Sequence, residues 1–170
     1  TEAFNGLQAS VIAEEARSAE HAANQRLRRI VSFVPGMVFQ YRLHADGHGD
    51  FPFISDGIKA LYGIDAEQAE MDSGPLRDLM HPDDVGPFFA SLAASAQSLS
   101  PWRVDYRVML PDGSSKWLML TAQPESVGEG ETLWHGFITD ISERKAMAAE
   151  LEQYRDHLEN LVEARTAAFE

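Results

Sequence analysis

Two blocks of alternating apolar and polar residues, separated by a helical stretch, constrain the fold of this chain more than any other feature. Residues 37–43 and 51–55 form the first block, and residues 102–110, 116–123 and 132–140 form the second. A side-chain period of two is typical of half-buried strands, and turn residues separate the members of each block. The pattern therefore predicts an α+β domain, with one antiparallel sheet of about five strands and helices on one face.

Helical patterns account for the remaining segments. Residues 3–31 are rich in Ala, Glu and Gln, which predicts an amphipathic N-terminal helix. His81-Pro82-Asp83-Asp84 predicts the start of another helix, because proline suits the first turn and acids suit the positive end of the helix dipole. This second helix is expected to run to about Leu99.

The C-terminal segment has the pattern of a pairing helix. Its apolar residues follow alternating spacings of four and three, which is a heptad seam: Met147, Leu151, Tyr154, Leu158 and Leu161. Val162 and Phe169 carry a second seam, so the register slips near the end. We expect three segments, an N-terminal helix over residues 1–32, a central α+β domain over residues 33–141 and a coiled-coil helix over residues 142–170.

Composition excludes several classes of function. The formal net charge of −13 disfavours binding to nucleic acid and to anionic lipid headgroups. The chain has no cysteine, which removes disulfides, thiolate catalysis, cysteine-ligated metals and flavin photochemistry through a cysteinyl adduct. No apolar run is long enough to cross a bilayer. We expect a cytoplasmic location and a chain that is part of a longer protein.

Three local motifs, in this order, resemble those of the PAS family. Residues 53–58 lead into Leu61-Tyr62-Gly63, then His81-Pro82-Asp83-Asp84 follows, and residues 136–145 (GFITDISERK) are similar to the closing motif of the family. Ser142 stands where threonine is commoner, and its hydroxyl can still cap the outgoing helix. The resemblance covers roughly residues 33–145 and implies a sensor fold without naming a ligand.

The inner face of the predicted sheet is apolar and aromatic. Members of the family bind small ligands in this interior, and phenols here suit a small lipophilic molecule that carries one polar group. The residues we expect to contact a ligand are Phe39, Tyr41, Phe53, Tyr62, Phe88, Tyr106, Val108, Leu118, Leu120, Trp134 and Ile138. A filled core that binds nothing is the alternative.

The outer face carries too much apolar surface to remain in water. Trp117, Met119, His135 and Phe137 point to this side. A homodimer, the N-terminal helix, or both are expected to cover it, and the heptad residues extend the dimer contact along the C-terminal helix. Asp140 and Ser142 lie where the last strand meets that helix, so we expect them to transfer the signal.

The resemblance implies an effector domain in the same polypeptide. The C-terminal segment is similar to linkers that precede histidine kinase or diguanylate cyclase domains, and a histidine kinase is our first choice. No phosphate-binding loop, nucleophile elbow or metal motif is present in the sequence, so we expect no catalysis in this segment. A module that only dimerises stays an alternative.

Cofactors are not expected. Haem would need a helix histidine, and His81, the best candidate, belongs to a helix-entry motif in which histidine occurs without metal. No pair of histidines has the spacing of a zinc site. Non-covalent flavin binding stays an open alternative, although Val108, Leu118 and Ile138 are too apolar to bind the polar edge of an isoalloxazine.

Overall fold

The computed structural model describes residues 2–167 and contains six helices and five strands in that range. In chain order these are α1 (Glu2–Val31), β1 (Met37–Leu43), β2 (Gly49–Ile54), α2 (Ile58–Tyr62), α3 (Ala66–Met71), α4 (Gly74–Asp78), α5 (Pro82–Ser98), β3 (Trp102–Met109), β4 (Ser115–Gly128), β5 (Glu131–Asp140) and α6 (Ser142–Ala167). The predicted α+β fold is confirmed. Phe169, which carries the second predicted heptad seam, lies outside the described residues.

The five strands form one antiparallel sheet in the order β2-β1-β5-β4-β3. The last strand of the chain is the central one: β5 pairs with β1 from Met37↔Ile138 to Leu43↔Thr132 and with β4 from Leu118↔Asp140 onward. The two blocks of alternating residues therefore meet only through β5. Helices α2 to α5 lie between the blocks in sequence and cover one face of the sheet.

The inner face of the sheet forms the core with the helices. Met37, Phe39, Trp134 and Ile138 are at most 4% exposed, and β3 and β4 add Tyr106, Val108, Leu118, Leu120 and Ala122. Ile58, Leu61 and Leu92 close the core from the helical side. Trp102 and Ile54 also belong to this core. Trp102 continues the alternation of Tyr106 and Val108 along β3, whereas Ile54 departs from the alternation expected in β2.

The expectation that Phe53 faces inward is wrong. Phe53 lies opposite Gln40, whereas Ile54 lies opposite Phe39 and is completely buried. The ring of Phe53 packs instead on the other side of the sheet, 5.7 Å from the guanidinium carbon of Arg28 in α1. A β-bulge in the β1–β2 pairing lets Phe51 turn inward again, so strict alternation fails in this strand.

Strand β4 is longer than the alternation predicts. It continues past Gln123 to Gly128, with Pro124 in register with Trp134 of β5. The partner on the other side, β3, begins at Trp102 opposite Ala122. Pro124 therefore lies on an edge of the sheet beyond the end of β3, where the missing N–H breaks no ladder bond.

Helix α5 is attached to β3 through the second aspartate of the His-Pro-Asp-Asp motif. Both carboxylate oxygens of Asp84 accept from the guanidinium of Arg107, at 2.7 and 2.9 Å, and the backbone N–H of Arg107 donates to Asp84 at 2.8 Å. His81 caps the helix, since its Nδ1 accepts from the backbone N–H of Asp83 at 3.2 Å. The motif thus fixes the long helix to the sheet as well as starting it.

Both terminal helices project from the domain with exposed apolar side chains. Every side chain from Ala3 to Ile30 of α1 is exposed, including Leu7 and Ile12. No residue of α6 in the described range is buried. On the outer face of the sheet, Phe137 is 39% exposed. Helix α1 therefore does not cover that face within this chain.

The backbone just before β1 passes very close to the backbone just before α2. A Cβ atom added to Gly57 would lie 1.8 Å from the carbonyl oxygen of Gly36. Gly36 itself has φ of 101°, and a Cβ there would lie 2.1 Å from the carbonyl oxygen of Ile138. Two glycines are required because backbone packs directly on backbone.

Replacing Gly57 by alanine should lower the free energy of unfolding by about 1–3 kcal/mol, because the backbone must move to admit the methyl group. Gly86→Ala in α5 is the matched control, since a Cβ there meets no atom of the described residues within 4 Å. Alanine at a helix-interior position stabilises by about 0.5–1 kcal/mol. Urea unfolding measures both variants, and equal effects would contradict the close crossing.

Replacing Asp84 by asparagine should cost about 2 kcal/mol at neutral pH, because hydrogen bonds to a charged group are lost. The Arg107 guanidinium holds the pKa of Asp84 below its ordinary 3.8. A carboxyl with a lowered pKa stabilises the fold above its unfolded pKa and loses that effect as pH falls through the folded value. The difference between wild type and variant should therefore shrink below about pH 3.8.

Asp83→Asn is the control for this measurement. The Asp83 side chain is 79% exposed, so its loss should change stability by no more than about 0.5 kcal/mol. Urea unfolding at several pH values checks both variants. A constant difference between Asp84→Asn and wild type from pH 7 to pH 2 would disprove the role of the carboxylate charge.

Candidate functional site

A cavity of about 410 Å³ lies between the inner face of the sheet and helices α2 to α5. The sheet contributes Met37, Phe39, Tyr41, Phe51, Trp102, Tyr106, Leu120 and Ile138 to its wall. The helices contribute Tyr62, Gly74, Leu76, Arg77, Phe88, Phe89 and Leu92. Gly49 at the start of β2 also lines it, and the connecting segments contribute His48, Asp72, Ser73 and Met80. This volume is in the range of small-molecule sites.

Aromatic rings in contact line one side of the cavity. Phe88 meets Trp102 and Tyr106 edge to face, with centroids 5.1 and 5.0 Å apart. Trp102 contacts Trp134, and Tyr41 continues the series towards β2. Such edge-to-face arrangements are favourable and leave ring faces that suit a flat apolar molecule.

The polar atoms of the tryptophans are satisfied by two serines of α5. The indole N–H of Trp102 donates to Ser91 Oγ at 2.8 Å, and that of Trp134 donates to Ser95 Oγ at 2.9 Å. Ser95 in turn donates to the backbone carbonyl of Ser100 at 2.7 Å. We did not identify these serines from the sequence; the available signal is their spacing of four residues, on either side of buried Leu92.

Two phenols meet inside the apolar interior. The hydroxyls of Tyr62 in α2 and Tyr106 in β3 are hydrogen-bonded to each other, and both residues line the cavity. Burial raises the pKa of each hydroxyl above the ordinary phenol range. Both therefore remain protonated, neutral donors at physiological pH.

The entrance lies between the β1–β2 hairpin and the segment that links α3 to α4. His48 and Gly49 line it from the hairpin, and Asp72 lines it from the helical side. Arg77 of α4 places its guanidinium 5.2 Å from the ring centroid of Phe89. Asp72 and Arg77 are both exposed, so the charged groups of the cavity belong to its entrance.

The junction between β5 and α6 is fixed by backbone and side-chain bonds. Asp140 Oδ1 accepts from the backbone N–H of Ser142 at 2.8 Å and so caps the outgoing helix. Ser142 Oγ accepts from the backbone N–H of Trp117 in β4 at 2.9 Å, and the N–H of Ile141 donates to the carbonyl of Trp117 at 2.8 Å. The expected cap is therefore made by Asp140, while the serine hydroxyl bonds to the neighbouring strand.

The ring of Trp117 sits beneath two cations on the outer face. Lys145 of α6 lies 4.6 Å from its centroid and Arg107 of β3 lies 5.3 Å from it. Lys145 also pairs with Asp105 at 3.2 Å. The first turn of α6 is thus held to β3 and β4 by cation–π and ionic contacts.

The structure brings most of the expected ligand-contact residues to the cavity. Those on its wall are Phe39, Tyr41, Tyr62, Phe88, Tyr106, Leu120 and Ile138. Val108, Leu118 and Trp134 are completely buried but do not line it, and Phe53 lies on the opposite face. Trp102, Met80 and Arg77 line the cavity and were missing from the predicted set.

The residues expected on the outer face lie on that side of the sheet, and the apolar residues expected to form a heptad seam lie on α6. Trp117 and Met119 are half-buried and His135 is exposed. His135 bonds Gln40 at 3.2 Å and Glu125 at 3.1 Å. Along α6 the seam is open to solvent: Met147, Leu151, Tyr154, Leu158 and Leu161 are 44% to 70% exposed.

Neither a metal-binding cluster nor a membrane-spanning helix is present among the residues that the structure describes. Among the residues that the structure describes, no group of three or more histidines and carboxylates is arranged to hold a metal ion. His81 is a helix cap and is absent from the cavity wall. Within residues 2–167, none of the helices has the length and apolar composition that a membrane crossing requires.

Solved structures with the same fold include several sensor domains. A sensory box histidine kinase/response regulator of Burkholderia thailandensis superposes with a TM-score of 0.56 at 22% identity, covering 79% of this chain and 98% of that one. The N-terminal domain of a diguanylate cyclase with a PAS/PAC sensor from Marinobacter aquaeolei gives 0.53 at 21% identity, covering 64% and 98%. A PAS domain from Colwellia psychrerythraea gives 0.53 at 19% identity, covering 72% and 98%.

Sequence comparison finds the same family. An uncharacterized protein of Sinorhizobium fredii is 31% identical over 75 residues, which are 44% of this chain and 9% of that protein. The chain thus matches less than a tenth of the length of this relative. A family model described as the PAS fold matches residues 51–138, just over half of the chain. This chain belongs to the PAS family.

Proposed function

We propose that this chain is a ligand-sensing, dimerising PAS module that passes a conformational signal through α6 to an effector domain in the same polypeptide. In this proposal the sensor spans residues 33–141, with an N-terminal segment, residues 1–32, before it and a signalling segment, residues 142–170, after it. The observation that carries the proposal is the 410 Å³ cavity behind the aromatic wall. A cavity that opens at the surface, has this volume and is lined mainly by apolar and aromatic side chains is typical of small-molecule sites, which favours a ligand over a filled core.

A short covalent path connects the cavity to the helix junction. Ile138 of β5 lines the cavity, and Asp140, two residues later on the same strand, caps α6. Ile138 is paired with Leu120, and Asp140 with Leu118, which directly follows the junction residue Trp117 in β4. A ligand that shifts β5 therefore acts directly on the bonds that hold the first turn of α6.

A second copy of this chain is the proposed partner. The seam on α6 and the apolar residues of α1 are exposed, and heptad side chains of this type pack in pairs of helices. Phe137, Met119 and Trp117 extend the apolar surface onto the outer face of the sheet. The dimer would bury these groups together.

A histidine kinase is the effector class we propose, by analogy with the Burkholderia thailandensis protein. A diguanylate cyclase is the alternative, by analogy with the Marinobacter aquaeolei protein. Both comparisons concern domains that share the fold at low sequence identity. A cytoplasmic location stays a prediction.

Native mass spectrometry of the purified chain tests the proposal as a whole. We expect the mass of two copies, together with a small molecule that leaves on denaturation. Extraction of that molecule should lower the melting temperature, since a ligand that binds only the folded state stabilises it. A bare monomer, with no thermal shift from a library of small aromatic compounds, would contradict both the sensing and the dimer.

Replacing Leu92 by phenylalanine tests whether the cavity is open space. Leu92 lies on the cavity wall, so the larger ring can enter the void, and stability should change by less than about 1 kcal/mol. Leu118→Phe is the matched control, because Leu118 is completely buried and does not line the cavity. There the extra volume should cost about 1–3 kcal/mol. Equal large losses in urea unfolding would favour the filled-core, dimerisation-only alternative.

Replacing Asp140 by alanine should weaken the start of α6, because a lost N-cap costs about 1 kcal/mol. Amide hydrogen exchange should become faster in the first turn of α6, while the cavity and the sheet keep their protection. In the full-length protein the effector should stop responding to ligand. Asp156→Ala, on the exposed middle of α6, is the control. A full ligand response in the Asp140 variant would refute the role of the junction in signal transfer.

A further inference from the structure

The paired phenols of Tyr62 and Tyr106 carry one more donor than the protein uses. Two phenols bring two O–H donors, and their mutual hydrogen bond consumes one of them. Within residues 2–167 neither hydroxyl makes a further hydrogen bond to the protein. One O–H group is therefore left without a protein acceptor, in residues that are only 4% and 1% exposed.

The two tryptophans of the aromatic wall have no free donor. The indole N–H groups of Trp102 and Trp134 donate to serines of α5. The tyrosine pair thus differs from the two tryptophans. A buried donor without an acceptor is costly, and a ligand that supplies the acceptor removes that cost.

The charge around the cavity determines which kind of acceptor fits. The lining residues with a formal charge, Asp72 and Arg77, have opposite signs and are exposed at the entrance. Cationic side chains are absent from the buried part of the wall within the described residues. Burial raises the pKa of both phenols, so the same surroundings disfavour negative charge. A neutral acceptor suits this position better than a carboxylate.

On the basis of the proposed function, we propose that the cavity binds a small, flat, apolar molecule with one neutral, carbonyl-type acceptor. This acceptor receives the hydrogen bond from the free O–H of the Tyr62–Tyr106 pair. The aromatic wall of Phe88, Trp102 and Tyr41 contacts the flat body. The tyrosine pair fixes its orientation and selects the acceptor. Methionines 37 and 80 on the same wall adapt to its outline.

Three probes of one shape test this selection. They are 2-acetylnaphthalene, which carries a ketone, 2-isopropenylnaphthalene, in which a carbon replaces the oxygen, and the anion 2-naphthoate. Equilibrium dialysis against the whole chain gives the three dissociation constants. The ketone should bind about five- to tenfold more tightly than the hydrocarbon, the value of one hydrogen bond, and more tightly than the anion.

The variant Tyr62→Phe/Tyr106→Phe removes both hydroxyls and keeps both rings. Its affinity for the hydrocarbon should be retained, which shows that the cavity is intact, and its preference for the ketone should disappear. Tyr154→Phe, on the exposed seam of α6, should keep the wild-type preference. Loss of the preference only in the double variant supports the proposal.

The remaining outcomes separate this proposal from the proposed function. Equal binding of ketone and hydrocarbon to the wild-type chain would overturn the selection by the tyrosine pair while leaving the cavity as a ligand site. Tightest binding of 2-naphthoate would also overturn it, in favour of Arg77 as the recognition group. Binding of none of the three would overturn both the selection and a ligand site for flat apolar molecules.

Discussion

The pairing of β5 with two strands at once is the constraint on which the rest of the structure depends. Without it, the hairpin of β1 and β2 and the hairpin of β3 and β4 would be separate, and isolated hairpins are at best marginally stable in water. With it, Trp134 and Ile138 become the centre of the inner face. The same strand ends at the capping residue Asp140, so the element that closes the sheet also starts the outgoing helix.

Satisfaction of polar atoms explains why the interior tolerates so many amphipathic rings. Tryptophan and tyrosine bury large areas but each brings a group that needs a partner. Serines of α5 accept from both indoles, and the hydrogen bond between Tyr62 and Tyr106 uses one of the two phenol donors. The arrangement joins α2, α5 and β3 through specific hydrogen bonds as well as through packing.

Sequence reasoning was accurate where one local rule decides the outcome. Alternation placed Phe39, Leu120 and Ile138 on the inner face, and the motif at His81 placed the start of α5. It failed where two elements interact. The bulge beside Phe53, the length of β4 beyond Pro124 and the bond from Ser142 to Trp117 depend on the neighbouring strand, whose register is not visible in one segment. Asp84 illustrates both cases. Its position at the positive end of the α5 dipole follows from the local motif, whereas its hydrogen bond to Arg107 depends on strand β3.

The sequence by itself determined the number and order of the strands, the face that four of the five strands bury and the amphipathic character of the terminal helices, because periodicity and turn chemistry are properties of short segments. Only the tertiary structure decided that the aromatic residues leave a cavity, that Tyr62 meets Tyr106, and that Arg77 reaches the entrance. These three outcomes depend on how closely side chains from distant segments approach one another. A void is what remains when fixed backbones hold those side chains apart, and no local pattern records that distance.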